Sequence, residues 1–180
     1  MAGLTYEQFI AGKMHTESDG GFAPLWMPDF LYDFQAHLVE WAMRKGRAAV
    51  LADCGMGKTP MELVFAQNVV AHTNRPVLLL TPLGVTGQVV REGEKFGIEC
   101  HRSREGENVH GIVVANYERL HKFTPGDFAG VVADESSVLK NFDGETKAAV
   151  TEFMRRIPYR MLGTATAAPN DFIELGTSSE

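Results

Sequence analysis

Residues 52–59 read Ala-Asp-Cys-Gly-Met-Gly-Lys-Thr, and residues 130–135 read Gly-Val-Val-Ala-Asp-Glu. Gly55 and Gly57 permit a tight turn whose amides can converge on an anion. Lys58 adds a mobile cation, and Thr59 adds a hydroxyl of the kind that ligates Mg²⁺. With a strand before it and a helix after it, such a turn cradles the phosphates of a nucleotide. The loop residues Cys54, Gly55, Met56, Gly57, Lys58 and Thr59 are therefore the expected nucleotide-binding set, although Ala52 stands where the G-x-x-x-x-G-K-[ST] pattern begins with glycine. Asp134 and Glu135 follow an apolar run, and two adjacent acids there can divide the work. Asp134 can hold Mg²⁺ directly or through water, and Glu135 can orient and deprotonate an attacking water. Lys58, Asp134 and Glu135 are the expected catalytic residues, and Thr59 and Asp134 the expected metal ligands. Without context, a solvated turn would explain the acidic pair as well.

The elements needed to carry these groups are legible as alternating patterns. Apolar Phe34, Leu38, Trp41 and Ala42 recur at helical spacing over 32–45, and Gly46 is a stop signal. A strand is predicted at 47–52, then a helix over 58–72 with Met61, Leu63, Val64 and Val69 available for packing. Further strands fall at 76–82, 111–116, 130–135 and 160–166, with helices over 84–95 and 145–156. Strands made of continuous Val, Leu and Ala are buried on both faces, which marks a parallel sheet between two helix layers. Residues 4–12 read as a short helix capped by Thr5, and 13–28 as a lead-in arm. The folded unit is expected over 29–180.

At 180 residues and 44% hydrophobic, the chain is long enough for one domain with its own core. Its net charge of −6 carries no whole-chain signature of a polyanion coat. Cys54 and Cys100 lack any metal or disulfide spacing and read as small buried hydrophobes in a reducing compartment. His101, His110 and His121 have no ligand spacing, and Arg155, Arg156 and Arg160 read as a solvated helix end. No window is apolar enough for a membrane span, so a cytoplasmic protein without membrane contact is expected.

The loop from Ala52 to Thr59 is similar to the A-x-x-G-x-G-K-T loop of DEAD-box-like proteins. "DESSVLKN" at 134–141 resembles the acidic box of Snf-type translocases in its acids and its Leu139-Lys140-Asn141 ending, with Ser136 and Ser137 departing from the usual pair. "LGTATAAPND" at 162–171 resembles the Ser/Thr-Ala-Thr motif that follows in those enzymes, and "FLYDFQAHL" resembles their Q-motif, with Gln35 carrying the match. The chain thus looks like the first RecA-like domain of a superfamily 2 helicase or translocase. The resemblance implies a three-layer α/β P-loop domain with a mostly parallel sheet, ATP and Mg²⁺ as cofactors, and a nucleic-acid partner, with DNA favoured over RNA. It implies that Gln35 reads adenine and that Thr164 and Thr166 couple hydrolysis to domain movement. It also implies that Thr81, Pro82, Asn116 and Tyr117 lie on the nucleic-acid track. Tyr32, Phe30 or Phe34 could stack on the base, with core packing expected for at least two of them.

Relatives of this type carry a second RecA-like domain whose arginines complete the ATP site, and nothing in these 180 residues resembles it. An arginine finger is worth about 10³ to 10⁵ in rate, so the chain alone is expected to bind nucleotide weakly and hydrolyse it slowly. It is expected to be a piece of a longer protein or a subunit completed in trans. A nucleotide-dependent binding switch without motor activity remains the alternative. A small-molecule kinase would need an acceptor lid, for which no candidate is visible.

Overall fold

The computed structural model describes residues 20–136 and 144–165. The expected helix at 4–12, Ser137, the Leu139-Lys140-Asn141 ending, Thr166 and the turn after it lie outside the described residues. The elements in chain order are α1 (Asp33–Lys45), β1 (Arg47–Leu51), α2 (Lys58–Thr73), β2 (Val77–Thr81), α3 (Thr86–Phe96), β3 (Cys100–Arg102) and β4 (Ile112–Asn116). Then come β5 (Gly130–Ala133), α4 (Gly144–Arg155) and β6 (Tyr159–Thr164). A 3₁₀ stretch over Tyr117–Lys122 follows β4.

All six strands form one sheet in the order β1-β6-β5-β2-β4-β3, and every pairing is parallel. Side chains alternate faces along a strand. Val77 and Leu79 therefore enter one core with Val39, Met61, Leu63 and Val89 from α1, α2 and α3. Leu78 and Leu80 enter the other with Leu120 of the 3₁₀ stretch, Phe128 of the segment before β5, and Val150 and Phe153 of α4. Two helix layers on a fully buried parallel sheet is the architecture the continuous apolar runs predict.

The differences from expectation have local causes. β3 is a polar three-residue edge strand, half-buried at Cys100 and His101, with no apolar run to announce it. In α1 the inward face is Gln35, Val39, Ala42 and Met43. Phe34 and Trp41, expected to pack, are 41% and 45% exposed, because the 3.6-residue period that buries Val39 turns them outward.

The lead-in arm is part of the packed unit. Gly21 N–H donates to Arg44 O and Phe22 N–H to Met43 O, each at 3.0 Å, and the Phe22 ring stacks on His72 with centroids 3.9 Å apart. Asn68, fully buried in α2, accepts from Leu25 N–H and Trp26 N–H at 2.9 Å and donates to Trp26 O and Val64 O at 2.8 Å. Packing thus begins by Gly21, ahead of the Asp29 at which the folded unit was expected to start. A buried donor or acceptor left without its partner costs about 1–3 kcal/mol. Asn68→Leu is expected to lower stability by about that amount in urea unfolding and to open the 20–28 arm to protease under native conditions. An unchanged urea midpoint and an intact arm would contradict this.

Candidate nucleotide site

Parallel pairing brings the carboxyl ends of all six strands to one edge, which is where ligands bind in open α/β sheets. The Gly-rich loop leaves β1 at that edge, and Asp134 and Glu135 leave β5 there. β6 lies between them in the sheet. The loop and the acids are therefore two strand spacings apart, about 10 Å.

The loop has the backbone that its glycines predict. Gly55 and Gly57 sit at φ 81° and 72°, in the left-handed region, and Gly57 caps the start of α2. A Cβ at Gly57 would also collide with Gln35 Nε2. The Gln35 amide braces this turn from α1: Nε2 donates to Met56 O at 2.8 Å, and Oε1 accepts from Tyr32 N–H at 3.0 Å. Lys58 Nζ turns back over the loop and donates to Ala52 O at 3.0 Å and Asp53 O at 3.3 Å. Cys54, expected as a small buried hydrophobe, is exposed on the loop, since the turn that presents amides to an anion also turns its side chains outward.

Asp134 closes β5 through its N–H, which donates to Leu80 O at 2.8 Å, and its carbonyl accepts from the Tyr117 hydroxyl at 2.7 Å. The residue is 8% exposed. Burial, and then the neighbouring Glu135 charge, push its pKa up to about 6, against the lowering influence of Lys58. A buried carboxylate short of countercharge is the donor chemistry Mg²⁺ takes. Asp134 would thus suit the metal that the loop implies, with Thr59 the expected second ligand. Among the described residues no cluster of three His, Cys, Asp or Glu could hold a metal by itself, so the remaining ligands would be phosphate and water.

Glu135 adopts φ 50°, one of two non-glycine residues among those described in the left-handed region. Such a backbone costs about 1 kcal/mol or more and is concentrated at functional sites. Thr164 Oγ1 donates to Glu135 Oε1 at 3.3 Å, and Thr164 O accepts from Ala52 N–H at 3.1 Å. One β6 residue therefore touches both the phosphate loop and the acidic pair.

The expected track residues are divided. Thr81 is buried and its hydroxyl bonds Thr86 Oγ1 at 3.1 Å and Pro82 O at 3.1 Å. Tyr117 is turned inward onto Asp134. Asn116 pairs in register with Thr81, and its Oδ1 is buried without a hydrogen bond. Of the four expected track residues Thr81, Asn116 and Tyr117 are buried and Pro82 is half-buried, followed by the exposed Leu83. None of Phe30, Tyr32 and Phe34 is buried, against the expectation for two of them. Tyr32 and Phe34 stack nearly parallel, and Phe30 stacks on Phe96. Arg155 and Arg156 are exposed as expected, while Arg160 is half-buried and donates to Met154 O at 3.4 Å. An apolar groove of about 430 Å³ between Tyr117, Leu120, Phe123 and Phe153 lies in the other helix layer and is separate from the loop.

Sequence reasoning passed over Glu62. It lies one helical turn beyond Thr59, is 0% exposed, and neither carboxyl oxygen has a hydrogen bond. Burial first, then the charge of Asp134, hold its pKa well above the ordinary 4.5, with Lys58 pulling the other way. A lone acid in the apolar run Met61–Val70 was the available signal.

The pH dependence of stability follows from that raised pKa. Below the ordinary value the carboxyl is neutral whether folded or unfolded. As pH rises, the unfolded chain gains by ionising while the folded one stays protonated, so stability falls toward the raised folded pKa. Glu62→Gln removes this loss. The variant's Tm advantage is expected to be larger at pH 8 than at pH 5, with each kcal/mol read as about 2–4 °C at this chain length. A difference constant with pH would contradict the assignment.

No family model matches the chain, and no curated protein matches it by sequence. Solved structures do. The UvsW helicase of bacteriophage T4 superposes with a TM-score of 0.68 at 10% identity, covering 98% of this chain and 65% of that one. A second structure of T4 UvsW gives 0.68 at 10% identity, over 97% and 37%. The SWI2/SNF2 ATPase core of Sulfolobus solfataricus, solved with double-stranded DNA, gives 0.68 at 19% identity, over 85% and 35%. The chain thus spans from 35% to 65% of the length of these three chains. At these identities the likeness is one of fold alone, a parallel sheet between two helix layers.

Proposed function

We propose that this chain is the ATP-binding and hydrolysing N-terminal half of a nucleic-acid-dependent ATPase of helicase or double-stranded DNA translocase type. The observation that carries the reading is the β1-β6-β5 edge. There Thr164 hydrogen-bonds Glu135 while its carbonyl holds Ala52 at the start of the phosphate loop. A P-loop alone would serve kinases and switches as well; an acid positioned for water beside it favours hydrolysis.

In this reading the amides of 55–59 bind the triphosphate, and Lys58 leaves its carbonyl acceptors for the β and γ phosphates. Thr59 and Asp134 hold Mg²⁺, which when bound neutralises charge on the transferred phosphoryl group. Glu135 orients the attacking water and accepts its proton. The Gln35 amide keeps one hydrogen and one lone pair beyond its two bonds, enough to read an adenine edge. Thr164 ties hydrolysis to movement of β6. The cationic groups that complete the site come from a second RecA-like domain, in cis or in trans. DNA is the favoured polymer, and the dsDNA complex of the Sulfolobus core supports that choice.

ATP turnover measured with and without DNA or RNA tests the proposal, on the 180-residue chain and on the full-length gene product. Glu135→Gln is expected to keep ATP binding and lose about 10²- to 10⁴-fold in turnover, as for removal of a general base, and Lys58→Ala to lose binding. The chain alone is expected to turn over slowly. Wild-type turnover in Glu135→Gln would remove the hydrolytic assignment. Robust DNA-stimulated turnover by the monomeric chain would remove the need for a second domain.

A further inference from the structure

Glu62 and Gly163 face one another between α2 and β6. A Cβ built on Gly163 would overlap Glu62 Oε1, so the carboxyl occupies the volume that any other residue at 163 would fill. Both partners stand next to the machinery. Glu62 is one turn along α2 from Thr59, on the same helix face. Gly163 directly precedes Thr164, the residue that reaches both Ala52 and Glu135. In register, Gly163 pairs with Val50 of β1, and on the other side of β6 Leu162 pairs with Ala133 of β5. A buried carboxyl without a hydrogen bond is a costly choice for filling a gap that an apolar side chain would fill better. That cost calls for a role beyond packing.

We propose that Glu62 is a positioning residue of the ATP site: seated on Gly163, it transmits the placement of the phosphate-loop helix to β6, and through Thr164 to Glu135. The inference rests on reading this edge as an ATP site and adds a residue to which neither the motifs nor the fold assigns a part. Interiors are close-packed and pass displacements on instead of absorbing them. When phosphates draw the start of α2 toward the loop, the carboxyl moves against a strand with no side chain to cushion it. Glu135, already in a strained backbone conformation, is the group whose aim changes.

The test reads β6 directly and does not depend on turnover alone. Hydrogen exchange of the β6 amides is followed on the 180-residue chain, with and without Mg²⁺ and a non-hydrolysable ATP analogue, alongside analogue affinity and ATP turnover. In the wild type, analogue binding is expected to slow exchange over 161–164. Glu62→Ala is expected to bind the analogue but lose most of that slowing, and to lose at least about tenfold in turnover, the scale of a misplaced reacting group. Glu62→Gln, which keeps the shape, is expected to recover most of the β6 response. Gly163→Ala is expected to lower Tm. Adding Glu62→Ala to it should restore Tm by clearing the overlap, without restoring the β6 response. Should Glu62→Ala fail to fold, Glu62→Val, apolar and too short to reach position 163, takes its place in both arms. The proposal is overturned if the Ala or Val variant keeps the wild-type β6 response, or if the double variant regains it, which would make Glu62 a filler. Analogue binding by the wild type with no change in β6 also overturns it and leaves the ATP site standing. No analogue binding at all overturns the ATP reading, and this inference with it.

Discussion

The structure depends on one pairing: β6 lies hydrogen-bonded between β1 and β5, all three running the same way. Parallel strands present their carboxyl ends together, so a loop after β1 and acids after β5 must share an edge whatever their sequences. The intervening strand then fixes their separation and provides the bridge. Thr164 is that bridge, since its carbonyl extends the ladder to Ala52 while its hydroxyl reaches Glu135.

The electrostatics of the edge follow from its burial. Asp134 and Glu62 are both out of water, with Lys58 as the cation that acts on both. Desolvation disfavours the charged form of each acid, and a neighbouring charge adds to it, Asp134 at Glu62 and Glu135 at Asp134. The arrangement is short of positive charge, and a divalent cation on a phosphate chain would supply it. What reads as poor design in the isolated chain would, in the proposed reading, be the complement of a Mg²⁺-nucleotide complex.

The fold was legible because a parallel sheet writes itself as unbroken apolar runs. Five of the six strands could be drawn from their apolar runs and the flanking helices from their 3.6-residue spacing, whereas β3, held by pairing with β4 and carrying His101 and Arg102, left no such trace. The tight turn after β1 and the acids at the end of β5 were legible because glycine spacing sets the first and an apolar run ending in Asp-Glu the second. Which side of α1 faces inward was not: Phe34 and Trp41 outrank Gln35 in hydrophobicity, yet Gln35 is buried because the loop at Met56 needs its amide. Thr81 and Tyr117, expected on the nucleic-acid track, lie at the carboxyl ends of β2 and β4, and three-dimensional neighbours, Thr86 and Asp134, take them inward instead. Glu62 and Asn68 were passed over for the same reason. A polar residue in an apolar helix gains its meaning only from what lies across from it.

Those two residues settle something the rest of α2 leaves open. From Met61 to Val70 the helix is buried on nearly every side, and a cylinder that is apolar all round has little reason to prefer one rotation about its axis over another. Asn68, gripped by the arm on one side, and Glu62, lodged over a bare glycine on another, act as two keys in two slots. They set the azimuth of the helix, and with it the direction in which Lys58 and Thr59 emerge at its tip.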